Sequence, residues 1–226
     1  LVLDLMTYTL VDHPAFTATQ CEGLNALTYL AHISESLVAD IIAHKGIEVV
    51  TAAMQRLPEN LKVQVTACTT LAPLAFRNVE SARQIINCGV IECIVGALQQ
   101  HLNFRLYEVA LLLLANLFWH SELPAGDGVM SDGIGCIIRA MQHALSQHAI
   151  QKAACRVLSH LAHNSTENKI KICELGGIDA ILAAMRAHPD RARNQYHGCA
   201  ALKNLAWKSD RMTEEIVAKG GIEVVA

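Results

Sequence analysis

The chain has 226 residues, of which 52% are hydrophobic, 17% charged and only 4% aromatic. A formal net charge of −3 at pH 7 supplies no global attraction to nucleic acid or an anionic membrane, and no apolar run reaches the roughly 20 residues of a membrane span. The eight cysteines are scattered through apolar positions without a CxxC pair, which points to reduced thiols in the cytoplasm, with the nucleus as the alternative, rather than to a secreted disulfide scaffold.

The opening residues, LVLDLMTYTL, lack the basic start and small-residue cleavage site of a signal peptide. They read as the second helix of a partial repeat, because Leu3 begins a column that returns at Ile47, Ile91, Ile134, Ile178 and Ile222 with spacings of 44, 44, 43, 44 and 44 residues. Pro14 marks the following turn. Leu24, Leu27 and Leu30 then recur three residues apart, the spacing of one helical face.

The next unit spells out the pattern in full: a first helix over Ser34–His44, a bend at Lys45-Gly46, a second helix over Ile47–Arg56, a turn with Pro58, and a third helix over Asn60–Phe76. The glycine supplies the sterically demanding bend, and proline suits the first position of the helix that follows. In the third unit Gly89-Val90 precedes Ile91, and Phe104–Trp119 forms an unusually apolar third helix around Leu111–Leu114. In the fourth, Glu122–Gly128 carries Pro124, Gly126 and Gly128 where a first helix belongs, so a broken or very short helix is expected there, followed by a bend at Asp132-Gly133. Gly176-Gly177 and Gly220-Gly221 repeat the bend in the last two units.

Three further columns hold the same rhythm in the third helices. They are Leu30, Leu74, Leu117, Leu161 and Leu205; Leu27, Leu71, Leu114, Leu158 and Leu202; and Leu24, Cys68, Leu111, Cys155 and Cys199, which places these cysteines in the core. The boundaries are 1–32 (partial), 33–76, 77–119, 120–163, 164–207 and 208–226 (partial), a single domain of about five repeats. The chain ends a few residues into another second helix, with no polar capping face at Ile222–Ala226, the expectation for a fragment of a longer protein.

Three helices per unit, a period of 43 to 44, the glycine before the isoleucine, and segments such as Ala201-Leu-Lys-Asn-Leu-Ala206 and Leu114-Ala-Asn-Leu-Phe118 resemble the armadillo repeat family over the whole chain. The resemblance implies an all-α fold, an α-α superhelix or armadillo-type solenoid of three-helix repeats. It also implies a protein-interaction scaffold that binds a partner segment along a concave groove lined by the third helices.

In that family an asparagine late in the third helix holds the backbone of an extended peptide; here the position is filled by Tyr29, Pro73, Asn116, His160 and Asn204, two matches in five. The importin-α branch adds a tryptophan four residues earlier to sandwich lysines, and here Asn25, Thr69, Leu112, Arg156 and Ala200 stand there, so nuclear-signal binding is not expected. A ring-bearing column, His32, Phe76, Trp119, His163 and Trp207, reads either as a stacking strip for a partner or, more economically, as packing between repeats. Val109 and Leu112 either form an apolar patch in the groove or lie covered.

Basic residues gather late, at Lys152, Arg156, Arg191, Arg193, Lys203 and Lys208 against Asp190, which reads either as a solvated helix face or as a basic groove end that favours an acidic or phosphorylated ligand. The expected partner-binding residues are therefore Asn25, Tyr29, Thr69, Leu112, Asn116, Trp119, Lys152, Arg156, His160, Asn204 and Trp207. His160 and His163 sit one turn apart, but no pattern supplies further ligands for zinc, while His13, His101 and His188 stand where second helices end and complement the helix dipole.

No phosphate loop, nucleophile elbow or paired catalytic carboxylates occur in the sequence, so neither catalysis nor a cofactor is expected. Two other roles fit the sequence. One is the regulatory arm of a larger signalling enzyme, since Ala184–His188 and Gly198–Leu202 resemble armadillo segments of Roco-type kinases; the other is a structural part of a cytoskeletal or ciliary assembly.

Overall fold

The structure is a computed structural model that describes residues 16–76, 78–119, 129–163 and 165–225, with the side chains of 35 and 129–131 excepted. These residues form helices and no strand. They divide into two compact units, Leu1–Leu123 and Pro124–Ala226; Glu122–Gly128, where a broken or very short helix is expected, lies outside the described residues.

In the first unit the helices are α1 (Thr17–Ile33), α2 (Glu35–Ala43), α3 (Gly46–Arg56), α4 (Leu61–Ala75), α5 (Val79–Asn87), α6 (Val90–Gln100) and α7 (Phe104–Leu117). The third helices α1, α4 and α7 pack side by side as successive neighbours. Their facing columns are the ones the spacing singles out: Leu24, Cys68 and Leu111, with Leu27, Leu71 and Leu114, are all fully buried.

In the second unit α8 (Val129–His143) is followed by α9 (His148–Ala162), α10 (Thr166–Glu174), α11 (Gly177–Ala187), α12 (Ala192–Ala206), α13 (Asp210–Ala218) and α14 (Gly221–Val225). The third helices α9 and α12 make the most extensive contact between elements. Cys155 is buried between them, whereas Cys199, expected in the core, is only half-buried because it stands on the far side of α12.

Side-chain caps explain why helices start where they do. Ser34, Asn78, Ser165 and Ser209 accept from backbone N–H groups three residues on, at the start of four first helices, and Asn60 and Asn103 do the same for two third helices. Pro58 and Pro189, expected at the first helical position, instead sit in turns before Asn60 and Arg191, which take the cap positions. Pro14 lies outside the described residues.

The glycine-containing pair proves to hold two separate roles. Its first member has left-handed backbone, with φ of 81° at Gly89, 80° at Gly176 and 77° at Gly220, and Lys45 accepts the same conformation at 60°. This break turns α5 into α6 through 66°. The second member opens the second helix flush against the first: a Cβ at Gly46, Gly177 or Gly221 would lie 2.4 to 2.7 Å from atoms of Ile41, Ile172 or Ile216.

The fourth repeat departs from expectation. Asp132-Gly133 does not bend; α8 runs unbroken from Val129 to His143, carrying Gly133 inside a helix. No Gly precedes Gly133 in that pair, and nothing in the backbone there adopts positive φ.

Candidate functional site

In the first unit the expected site residues are Asn25 and Tyr29 on α1, Thr69 on α4, and Leu112 and Asn116 on α7. Tyr29 is 70% exposed and Leu112 41%, while Val109, expected beside Leu112 in a patch, is buried. Thr69 turns its hydroxyl back onto the Val65 carbonyl at 2.7 Å. Asn116 is only 5% exposed and donates its amide to the Ala72 carbonyl of the neighbouring third helix at 3.0 Å. The residue expected to offer a ladder rung to a ligand is thus engaged with the preceding repeat.

Asn204 behaves alike in the second unit, donating to Ser159 at 2.9 Å to its carbonyl and 3.0 Å to its hydroxyl. Both asparagines of the ladder tie adjacent third helices together. An amide that links two backbones 44 or 45 residues apart adds a polar cross-tie to an otherwise apolar interface.

The cationic residues of the second unit converge. Lys152, Arg156 and His160 fall at intervals of four residues along one face of α9. From α12, Arg193 and His197 act on the same space, and exposed Tyr196 stands edge-on to His197 with ring centroids 5.1 Å apart. Burial is the main reason that His160 is pushed down to about 4, with Arg156, His197 and His163 adding to it. His197 falls to about 4 for the same reason, helped by Arg156, Lys152 and Arg193. Burial also lowers the Arg156 guanidinium from its ordinary value.

Among the described residues, the side chains that push these two imidazoles down are basic: Arg156, Lys152, Arg193 and the neighbouring histidines. At neutral pH the site is therefore three fixed cations around two neutral rings. Such a cluster raises the local potential and favours an anionic group that displaces little water from the already half-buried guanidinium. Arg191, Lys203 and Lys208, expected to belong to this basic end, are exposed and do not act on either imidazole.

The ring-bearing column does not pack between repeats. His32 and His163 are exposed, Phe76 is about half exposed, and Trp119 and Trp207 are each 61% exposed, because the column falls at or just after the last turn of each third helix, beyond the helix–helix contact. His188 is partly spent structurally, its Nε2 lying 2.8 Å from the Leu145 carbonyl. Among the described residues no three His, Cys, Asp or Glu side chains gather as metal ligands, His160 and His163 included.

One column escaped the sequence reading. Gln64, Gln151 and Gln195 each donate an amide to two carbonyls at the end of the preceding second helix. Their recurrence at positions 64, 151 and 195, with Gln20 in register, was the available signal.

The helix triplets, the left-handed bend and the side-by-side third helices have close counterparts among known structures. A designed armadillo repeat protein in complex with the peptide (KR)4 superimposes with a TM-score of 0.74 at 15% identity, covering 98% of this chain and 89% of that one. The chain has the armadillo fold. A β-catenin chain, from work on a phosphorylation switch that controls the interaction between cadherin and β-catenin, superimposes with a TM-score of 0.82 at 18% identity, covering 96% of this chain and 43% of that one.

Among curated relatives, the human adenomatous polyposis coli protein 2 is 29% identical over 161 residues, 69% of this chain and 6% of that protein. Protein aardvark of Dictyostelium discoideum is 31% identical over 134 residues, 52% of this chain and 17% of its own length. The chain thus spans a small fraction of the relatives it matches. No family model matches it. No single helix among the described residues is long and apolar enough to cross a membrane.

Proposed function

We propose that this armadillo chain is a protein-interaction scaffold, and that the α9–α12 face of its second unit takes an acidic or phosphorylated segment of a partner protein. The observation that carries the reading is the convergence of Lys152, Arg156 and Arg193 on one imidazole, that of His197, at the α9–α12 face. The structural neighbours support the general role, since the designed armadillo protein holds a peptide and the β-catenin structure concerns binding to cadherin. Charge sets the sign of the ligand: the designed neighbour holds a basic peptide, whereas this face repels one.

On this reading Asn25, Tyr29, Leu112 and Trp119 contribute exposed surface on the first unit and Thr69 a half-buried position beside them, with Tyr29 and Leu112 as apolar anchors. Asn116 and Asn204 hold the scaffold rather than the ligand backbone. His160 sits at the centre of the second-unit face and responds to the charge placed there.

The test uses a fluorescein-labelled poly-glutamate peptide and a (KR)4 peptide against the full chain. The acidic peptide is expected to bind, to lose at least ~10-fold affinity in an Arg156→Glu/Arg193→Glu variant, and to weaken with added salt, while helical circular dichroism is retained. Equal binding of both peptides, or of parent and variant, rules the assignment out.

A further inference from the structure

A second cationic feature lies away from the α9–α12 face, at the edge where the first helices α10 and α13 meet the end of α12. A cavity of about 410 Å³ opens there, lined by Thr166, Lys169, Trp207, Lys208, Ser209 and Arg211 among others. Three of these are cations, and no carboxylate lines the cavity among the described residues.

Lys169 is the unusual member. It is only 7% exposed, and its Nζ donates to the Trp207 carbonyl at 2.6 Å, which holds a positive charge at the cavity wall and fixes the turn after α12. An ammonium has three donors, so this bond leaves two for other acceptors. Lys208, next in the chain, is one of two non-glycine residues with left-handed backbone among the described residues, at φ 58°. A residue without a Cβ would adopt that turn at lower cost.

The repeats themselves supply a control, because the same positions recur in each unit. Where Lys169 stands, the other first helices have Val38, Ala82 and Thr213; where Arg211 stands, they have Ser36, Glu80 and Glu167. The packing of first helices therefore requires neither cation. In the first unit the corresponding residues are Val38, Phe76, Arg77 and Glu80, which keep the ring and the cation after it but put an apolar residue and a carboxylate where Lys169 and Arg211 stand. Among the described first helices, Lys169 and Arg211 occur together beside a ring at the α10–α13 edge.

We infer that this cavity is a binding site for a phosphate monoester carried on an aromatic group, with Lys169, Lys208 and Arg211 holding the phosphate and the exposed Trp207 ring stacking on the aromatic part. Guanidinium and ammonium groups bind phosphate oxygens through charge-assisted hydrogen bonds. Besides the hydroxyl-bearing Thr166 and Ser209, the rest of the lining is Ile170, Met212 and the Trp207 indole, an apolar wall that matches a ring rather than a second charge. The site is independent of the acidic-segment reading above: it shares no residue with Lys152, Arg156, Arg193, His160 and His197.

The chain has two tryptophans, so in a Trp119→Phe background Trp207 emission reports this cavity alone. O-phosphotyrosine titrated into the full chain is expected to change that emission saturably, whereas tyrosine does not. Inorganic phosphate, the other source of the same anion, is expected to bind about 10-fold more weakly because it forgoes the stacking. Arg211→Glu installs the residue two sibling repeats carry and is expected to weaken O-phosphotyrosine by at least ~10-fold at unchanged melting temperature. Arg83→Glu, the same charge change on α5, leaves binding intact.

Lys169→Met is expected to abolish binding, and Arg211→Glu decides the matter if that variant fails to fold. Absence of a saturable change up to about 10 mM, equal response to tyrosine, or equal affinity of the Arg211→Glu chain overturns the site. Equal affinity for inorganic phosphate and O-phosphotyrosine overturns the aromatic half of it.

Discussion

The side-chain amide of Gln151 donates to the carbonyl of Ala144 at 2.8 Å, one residue beyond the end of α8. The same amide reaches the Met141 carbonyl at 2.9 Å, so one third-helix side chain closes the end of the second helix before it. Gln64 and Gln195 do the same for α3 and α11. Gln151→Ala leaves both carbonyls buried without that donor and is expected to cost about 1–3 kcal/mol in urea denaturation. A loss below a few tenths of a kcal/mol would show that water replaces the amide freely.

The two members of the bend respond oppositely to substitution. Gly177→Ala drives a Cβ to 2.4 Å from the Ile172 Cγ2 and 2.7 Å from its carbonyl oxygen, both fixed in the packed α10–α11 corner. A loss of about 1–3 kcal/mol is expected. Lys45→Gly relieves a left-handed lysine at φ 60° and is expected to gain about 0.5–1 kcal/mol. Thermal melts of the two variants moving in the same direction would contradict the division of roles.

His160 and His197 make stability depend on pH. Both fall from the ordinary 6.5 to about 4 in the folded chain, through burial and the neighbouring Arg156, Lys152, Arg193 and His163. Between those values the unfolded chain binds more protons than the folded one, so their contribution is fully present above pH 6.5 and is lost as pH falls toward 4. The melting temperature is expected to decline across that window, and a His160→Gln/His197→Gln chain to decline less. Identical profiles for the two chains would remove these imidazoles from the account.

The same pair couples ligand to proton. An anion bound over the α9–α12 face favours the charged imidazoles, so binding takes up protons and tightens as pH falls from 7 toward 5. Calorimetry of poly-glutamate binding in two buffers of different ionisation enthalpy measures the uptake directly. Proton release, or none, would place the acidic segment elsewhere.

Reduced and oxidised chain are expected to share one fold. Cys68 and Cys155 are enclosed, and burial pushes each thiol up to about 12, so neither is a thiolate near neutral pH. Iodoacetamide is expected to spare both in the native chain and to alkylate them after denaturation; rapid native labelling at either position would contradict the burial.

The 44-residue recurrence of Leu, Ile and Cys was sufficient to read the armadillo repeats, because a solenoid core is built from local periodicity and each buried column repeats in register. The bend at Lys45-Gly46 was legible as a glycine signal, but the pair's division into a left-handed residue and a close-packed one depends on where Ile41 lies in three dimensions. Straightness at Gly133 was not legible either, since a glycine in a helix and a glycine in a bend share the same letter.

The candidate sites divide the same way. The basic character of the later third helices stands in the sequence, yet only the packing of α9 against α12 brings Lys152 and Arg156 to bear on His197 and pushes both imidazoles down together. The asparagine column stands in the sequence, but the ties of Asn116 to Ala72 and of Asn204 to Ser159 do not, because side-chain direction decides which neighbour an amide meets. Periodicity determines which residues share a face of this protein; what that face touches is set by the distance between helices that no single period encodes.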